Sequence, residues 1–135
     1  VPMPEHIKIE HSSESAMQNG TAAICSSGTA TLECAVANLP TVVCYKMSYL
    51  NWVLFNLLGK VKYISIVNLI AKKKIIPELI QHKMTTKNII KKIFPFLDIK
   101  SKKRMKTVKH FDALRKNLGQ RGVFDRIANF ILREN

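Results

Sequence analysis

Two short blocks of small and β-branched apolar residues, TAAICS at 21–26 and TVVCY at 41–45, stand on either side of a stretch with helical composition, Thr29 to Asn38. Apolar runs of this length bounded by turn residues predict buried strands. Ser26-Ser27-Gly28 ends the first block, and the helical stretch stops before Pro40. Strand, tight turn, helix and strand in so few residues predict a βαβ unit of parallel sheet, whose crossover is right-handed almost without exception. Upstream, His6 to Glu10 alternates as a short strand does. Ser12 or Ser13 is suited to cap a brief helix that ends at Gly20.

Downstream, the pattern predicts a helix from Ser48 to Gly59, an extended stretch from Tyr63 to Leu69, and a short helical turn at Pro77 to Gln81 with proline at a tolerated first position. From Thr85 the character becomes helical. Ile89, Ile90, Ile93, Phe94 and Leu97 share one face of a helix that Pro95 should kink or end, because proline removes a backbone donor. Met105, Val108, Phe111, Leu114 and Leu118 form a second stripe, and Val123, Ile127, Phe130 and Ile131 a third. The fold class read from this pattern is α/β, a parallel sheet followed by C-terminal helices.

At 135 residues, with 47% of them hydrophobic and 23% charged, the chain has the length and composition of one ordinary folded domain. Its net charge of +13 is unevenly spread, since all but one of the 22 Lys and Arg lie beyond residue 45. A basic surface attracts nucleic acid, anionic lipid or phosphorylated substrates, and charge alone does not choose among them. Compositional bias on solvated helix faces is the plain alternative. Cys25, Cys34 and Cys44 include no CxxC pair, so they read as reduced, buried core residues, with neither a zinc site nor a redox motif expected. No basic segment followed by an apolar run opens the chain, so no signal peptide is expected and the cytoplasm is the default compartment. The most apolar stretch, Met47 to Gly59, is too short to span a bilayer. It reads either as a buried helix or as a helix resting on a membrane, with Tyr49 and Trp52 at the headgroup level.

Chemistry concentrates in Ser27-Gly28-Thr29-Ala30-Thr31-Leu32-Glu33, at the turn from a strand into a helix. The first amides of a helix are unpaired within it and its dipole is positive at that end, so phosphate oxygens fit there. Gly28 lets the backbone approach a ligand closely, Ser27 and Thr29 offer hydroxyls, and Glu33 lies one turn in, where a carboxylate accepts from both hydroxyls of a ribose. Ligands of open α/β sheets bind at the carboxyl ends of the strands, where this turn lies. Ordinary helix capping by Ser and Thr, with Glu compensating the dipole, accounts for the same residues without a ligand.

The run SGTATLE, then TVVCYKMS, YISIVNLIA and IIPELIQ in that order, closely resembles the end of the lipid-A-disaccharide synthases, and the closing LGQRGVFDRIANFIL is similar to that family's last helix. The resemblance covers the chain from about Ala16 onward. It implies a partial Rossmann-like parallel sheet, the C-terminal lobe of a GT-B inverting glycosyltransferase, with residues 1–98 as the nucleotide-sugar-binding lobe and 99–135 as a C-terminal helical segment. The implied reaction transfers 2,3-diacylglucosamine from its UDP-sugar to 2,3-diacylglucosamine 1-phosphate and releases UDP. On the same resemblance Ser27, Gly28 and Thr29 hold the diphosphate and Glu33 the ribose. Tyr45 and Asn68 face the donor from neighbouring strand ends, and Glu78 and Gln81 border the site. Asn68 as a turn cap, and Glu78 as a residue serving a helix N-terminus, are the structural alternatives. No metal and no cofactor is implied.

The sequence departs from the family's pattern at four places: Thr21 where an acidic residue is frequent, His11 where glycine is common, Val67 where proline usually precedes the Asn, and Lys72 where glycine often follows. The N-terminal lobe, which in the family carries the acceptor site, the membrane-associating apolar surface and the general base, is expected to lie outside this chain, and no residue here is assigned as catalytic. The partners implied are UDP-2,3-diacylglucosamine, the lipid acceptor, a separate N-terminal lobe or a homodimer, and the cytoplasmic face of the inner membrane, where the protein would be peripheral. Two other readings stand beside this one: a non-enzymatic basic module that binds anionic membrane or nucleic acid through Lys100, Lys102, Lys103, Arg104, Lys106 and Lys109, and an inactive remnant of the enzyme. Aromatic residues are not interleaved with the basic run, so nucleic acid is not the expected partner.

Overall fold

The computed structural model describes residues 5–26, 28–48 and 62–119. Helix α1, Ser13–Asn19, starts where Ser12 accepts a hydrogen bond from the Ser15 amide at 3.2 Å, and it stops at Gly20. A side chain at Gly20 would meet the Ala16 carbonyl at 3.0 Å and Leu39 at 3.3 Å, so the close approach there favours glycine. Strand β1, Ala23–Cys25, helix α2, Thr29–Val36, and strand β2, Thr41–Tyr45, then form the βαβ unit, with Ala23, Ile24 and Cys25 in parallel register against Thr41, Val42 and Val43. β1 is shorter and less covered than expected: Ile24 is 53% exposed, because β2 is its sole strand neighbour among the described residues. Helix α2 closes with Leu39 N–H on the Cys34 carbonyl and Asn38 N–H on the Ala35 carbonyl, a Schellman motif with Asn38 in the left-handed conformation.

Three expectations fail in instructive ways. His6 to Glu10 forms no strand; these residues are exposed and pair with nothing in the sheet. The stretch from Tyr63 to Leu69 is not extended, because Ser65 caps a helix, α3, at Ile66–Ala71. Pro77 to Gln81 is not a helical turn: Glu78–Ile80 is a third parallel strand, β3, paired with Val43, Cys44 and Tyr45, and a 3₁₀ turn at Gln81–Lys83 follows it. Proline opens β3 without loss, since the Pro77 carbonyl accepts from Val43 N–H at 2.9 Å.

The sheet, in order β1-β2-β3, is covered on both faces. Val43 turns toward Ala35 of α2 and Val67 of α3, and the flanking Val42 turns to the opposite face with Leu79. That second face is closed by helix α4, Thr86–Leu97, through Phe96 with Ile89 and Ile93 packed beside it. Pro95 does not end α4, which runs two residues further. The carbonyls of its last turn find donors in the next element: the Ser101 hydroxyl on Pro95 and the Arg104 guanidinium on Phe96 at 2.7 Å. Helix α5, Lys102–Asn117, buries Phe111 and Leu114 in the Val43 core, whereas Met105 and Leu118 of the same expected stripe are exposed.

Arg104 also reaches the Thr21 carbonyl just before β1, and Arg115 reaches the Val36 carbonyl at the end of α2. Both anchor points lie at the end of the sheet where the strands begin, so α5 crosses that end and leaves the carboxyl ends clear. No helix among the described residues is long and apolar enough to cross a membrane. The third stripe, Val123 to Ile131, and Tyr49 to Gly59 of the apolar stretch lie outside the described residues.

Candidate functional site

Gly28 occupies the N-cap position of α2 with φ 131° and ψ −161°, a region open to glycine and costly for any other residue. It brings no side chain to cap the helix, and a Cβ built on it would find no atom within 4 Å. Among the described residues nothing fills the outer side of the turn, beside the first amides of the helix. The fold strengthens the turn from below: the Thr31 hydroxyl, buried, donates to the Gly28 carbonyl at 2.8 Å, and the Thr31 amide does so at 3.2 Å. Thr29 and Glu33 are exposed and border a cleft of about 600 Å³ between α1 and α2, walled by Met17, Leu32 and Val36. Ser27 lies outside the described residues.

Tyr45 is the last residue of β2 and half-buried, and by strand alternation it shares the face of Val43. Gln81 follows β3 directly, in the left-handed conformation at φ 52°. Its amide nitrogen donates to the Met47 carbonyl at 2.9 Å and its amide oxygen accepts from the Met47 N–H at 3.1 Å. That two-point clamp fixes the chain leaving β2. Gly28, Tyr45 and Gln81 thus stand at the carboxyl ends of three adjacent parallel strands, the edge at which open α/β sheets take their ligands.

Asn68 and Glu78 are placed deeper. Asn68 is fully buried in α3, and its oxygen accepts from the amides of Ile75 at 2.7 Å and Ile76 at 3.0 Å. Its amide nitrogen donates to the Ile76 carbonyl at 2.9 Å and to the Glu78 carboxylate at 2.8 Å, so both amide hydrogens and both oxygen lone pairs are used inside the protein. Glu78 also accepts from the Ser65 amide at 2.9 Å, the Ser65 hydroxyl at 2.7 Å and the Ile64 amide at 3.2 Å. A carboxylate on the first residue of a strand therefore serves the positive end of a different helix, α3. Ser65 was not singled out in the sequence, although the spacing Ser65 to Asn68 is that of an N-cap and its third helical residue, and the Asn68 amide does bond Ser65 Oγ at 3.3 Å.

The cysteines are free; Cys34 is buried, whereas Cys25 and Cys44 are only half-buried, which corrects the reading of three core thiols. Cys25 closes β1 and Cys34 sits in α2, one on each side of the open turn. A hydrogen bond between the two thiols holds Cys34 below its ordinary value and pushes Cys25 up, while burial alone raises Cys44. No group of three His, Cys, Asp or Glu among the described residues is arranged to hold a metal ion.

A profile of the lipid-A-disaccharide synthetase family matches residues 2–126. The chain is 36% identical over 125 residues to a lipid-A-disaccharide synthase of Sulfurihydrogenibium sp. (strain YO3AOP1), a match that covers 92% of this chain and 32% of that protein. Against the enzyme of the same name from Gloeothece citriformis (strain PCC 7424) the identity is 38% over 112 residues, 82% of this chain and 29% of the relative. Against that of Psychromonas ingrahamii it is 44% over 81 residues, 60% and 21%. The chain spans about a third of the length of the first two of these relatives. With the family profile matched over nearly all of its residues and a doubly covered parallel sheet of partial Rossmann-like form, the chain belongs to the lipid-A-disaccharide synthetase family.

Proposed function

We propose that this chain provides the donor-binding part of an inverting GT-B glycosyltransferase that makes the lipid A disaccharide. In this reading 2,3-diacylglucosamine passes from its UDP-sugar to 2,3-diacylglucosamine 1-phosphate, and UDP leaves. The observation that carries it is the glycine-opened start of α2, at φ 131°, beside the carboxyl ends of three parallel strands. Inverting transfer breaks the bond between the anomeric carbon and the diphosphate as the acceptor hydroxyl attacks from the opposite face. Negative charge grows on the leaving diphosphate, and backbone amides with a helix dipole behind them stabilise it without reorganising.

In this proposal Ser27, Gly28 and Thr29 hold the diphosphate, and Glu33 accepts from the ribose hydroxyls along the cleft between α1 and α2. Tyr45 borders the donor from the end of β2. Gln81 keeps the neighbouring loop in place through Met47, and Asn68 and Glu78 hold the α3–β3 junction that supports the site from below. The general base that takes the acceptor proton comes from outside this chain, from a separate N-terminal lobe. The lipid character of both sugars puts the protein at the cytoplasmic face of the inner membrane, peripherally bound.

Adding this chain to an N-terminal lobe prepared from a full-length family member tests the proposal. Release of UDP with formation of the disaccharide is expected for the mixture and for neither part alone. A mixture that stays inactive, while the chain shows no uridine diphosphate binding by calorimetry, overturns it.

A further inference from the structure

Three free thiols stand among the described residues, and the sheet sorts them by face. Cys25, the last residue of β1, pairs in register with Val43, so both side chains turn to the face that α2 covers through Ala35. Cys44 lies one residue further along β2 and turns to the other face, among Val42, Leu79 and Phe96 under α4. Cys34 belongs to α2 itself and is 2% exposed. Cys25 and Cys34 therefore meet where α2 packs on β1, and their thiols share a hydrogen bond, while the sheet stands between Cys34 and Cys44. The pair is not sealed in. Both residues line a groove of about 230 Å³ between α1, β1 and α2, among whose walls Ala16, Gly20 and Ala30 carry nothing beyond a methyl group. Such a groove has room for an oxidant little larger than water. The hydrogen bond from Cys25 holds the Cys34 thiol below its ordinary value against the opposing effect of burial, and so favours the thiolate, the form that reacts with peroxides.

We infer that Cys25 and Cys34 are a modification site, a dithiol that a small peroxide oxidises to a disulfide across the contact between β1 and α2. The Cys34 thiolate attacks one peroxide oxygen, the O–O bond breaks, hydroxide leaves, and Cys34 becomes a sulfenic acid. The Cys25 thiol then attacks that sulfur; the sulfur–oxygen bond breaks, and the oxygen departs with the Cys25 proton as water. The hydroxide takes up the proton that the Cys34 thiol had released, so two thiols and one peroxide give one disulfide and two waters. The peroxide, which comes from outside the protein, accepts both electrons. The bond encloses Ser26 to Glu33, the stretch that contains Ser27, Gly28, Thr29 and Glu33 of the proposed donor site. Joined sulfurs stand closer than two hydrogen-bonded thiols, so the start of α2 shifts against β1, and uridine diphosphate binding weakens roughly tenfold, as expected for misplacement on the order of 1 Å at a binding site. That consequence rests on the donor-site reading; the thiol chemistry does not.

The full chain carrying Cys44→Ala is treated with hydrogen peroxide, then unfolded without reductant and cleaved after Glu33, which lies between the two cysteines. Mass spectrometry should find two hydrogens lost per chain, the fragments on either side of Glu33 joined until dithiothreitol is added, and no linked dimer. In the parent chain Cys44 should still be open to alkylation once the pair has reacted. Cys25→Ser, a change at a half-buried position, should stop the reaction at a sulfenic acid on Cys34, trapped by dimedone. Equal consumption of all three thiols, a bond between two chains, a bond that forms only in urea, or sulfenic acid at Cys44 ahead of Cys34 would each overturn the assignment. Uridine diphosphate affinity is then measured by calorimetry on the reduced, oxidised and re-reduced chain. It should fall roughly tenfold on oxidation and recover on reduction, with no such change in Cys25→Ser. An oxidised chain that binds as tightly as the reduced one would overturn the link to the donor site. A reduced chain that binds no nucleotide would sink the donor-site reading alone, because the fragment map decides the thiol pairing by itself.

Discussion

At the α3–β3 junction every valence of the Asn68 amide is met by protein, whereas at the mouth of α2 the capping position holds a glycine whose outer side no described residue fills. Both places gather polar groups from segments of the chain that the family resemblance marks as functional. Their geometry divides the work. A buried side chain that satisfies three backbone groups and a carboxylate is a fastening, and its removal strands those partners in the core. A helix start that no described side chain caps, opened by a conformation that strains any other residue, leaves its first donors available for the diphosphate of the proposed function.

Asn68→Leu is the strongest way to break that contrast. It leaves the amides of Ile75 and Ile76 and the Ile76 carbonyl short of partners, removes one of several donors to Glu78, and should cost about 4 kcal/mol in urea unfolding. A loss below about 1 kcal/mol would show that the junction is not the fastening described. Gly28→Ala comes next, and its cost is conformational, since space for the methyl group exists. About 1–2 kcal/mol of stability should be lost, together with roughly a tenfold drop in uridine diphosphate affinity. An alanine variant that binds as tightly as the parent would remove the glycine from the account.

Lys72 sharpens the comparison in the opposite sense. It ends α3 in the left-handed conformation at φ 51°, where the family often has glycine, so the junction is held together despite a local strain. Lys72→Gly should raise stability by about 1 kcal/mol, read as a higher unfolding midpoint with an unchanged slope. The smallest effect is expected from His110, whose imidazole lies 3.4 Å from the Lys73 ammonium. Partial burial and then Lys73, Lys106 and Lys109 hold its folded-state pKa below the ordinary 6.5. The unfolded chain therefore takes up the proton first as pH falls, so this contribution is present above about pH 6.5 and is lost on acidification. Melting temperatures of the His110→Gln variant should depend less on pH below that value than those of the parent, and parallel curves would contradict the assignment.

The elements legible in the sequence are those whose signals are local. Thr41–Tyr45 is read to the residue because a buried β-branched run follows a proline, and α1 is read from Ser12 and Gly20 because capping needs only neighbours in the chain. What was misread depends on distant partners. YISIV has a strand's composition, and it turns helical because Glu78, thirteen residues from Ser65, stabilises the helix start. PELI carries the signature of a helix start, and it is a strand because β2 offers an edge. Pro95 fails to stop α4 because Ser101 and Arg104 supply the donors that its last turn needs. The candidate site shows the same division. The glycine conformation at the start of α2 follows from local backbone chemistry, whereas the clamp of Gln81 on Met47 spans 34 positions and left no mark on either segment.

The most direct test is a titration of the isotopically labelled chain with uridine diphosphate, followed by amide resonances. The account predicts that the backbone amides of Gly28, Thr29 and Ala30 shift with a single saturable constant at moderate salt, while the Asn68 side-chain amide stays where it is. Shifts confined to the lysines of α5, fading as salt is raised and sparing residues 28–30, would contradict it.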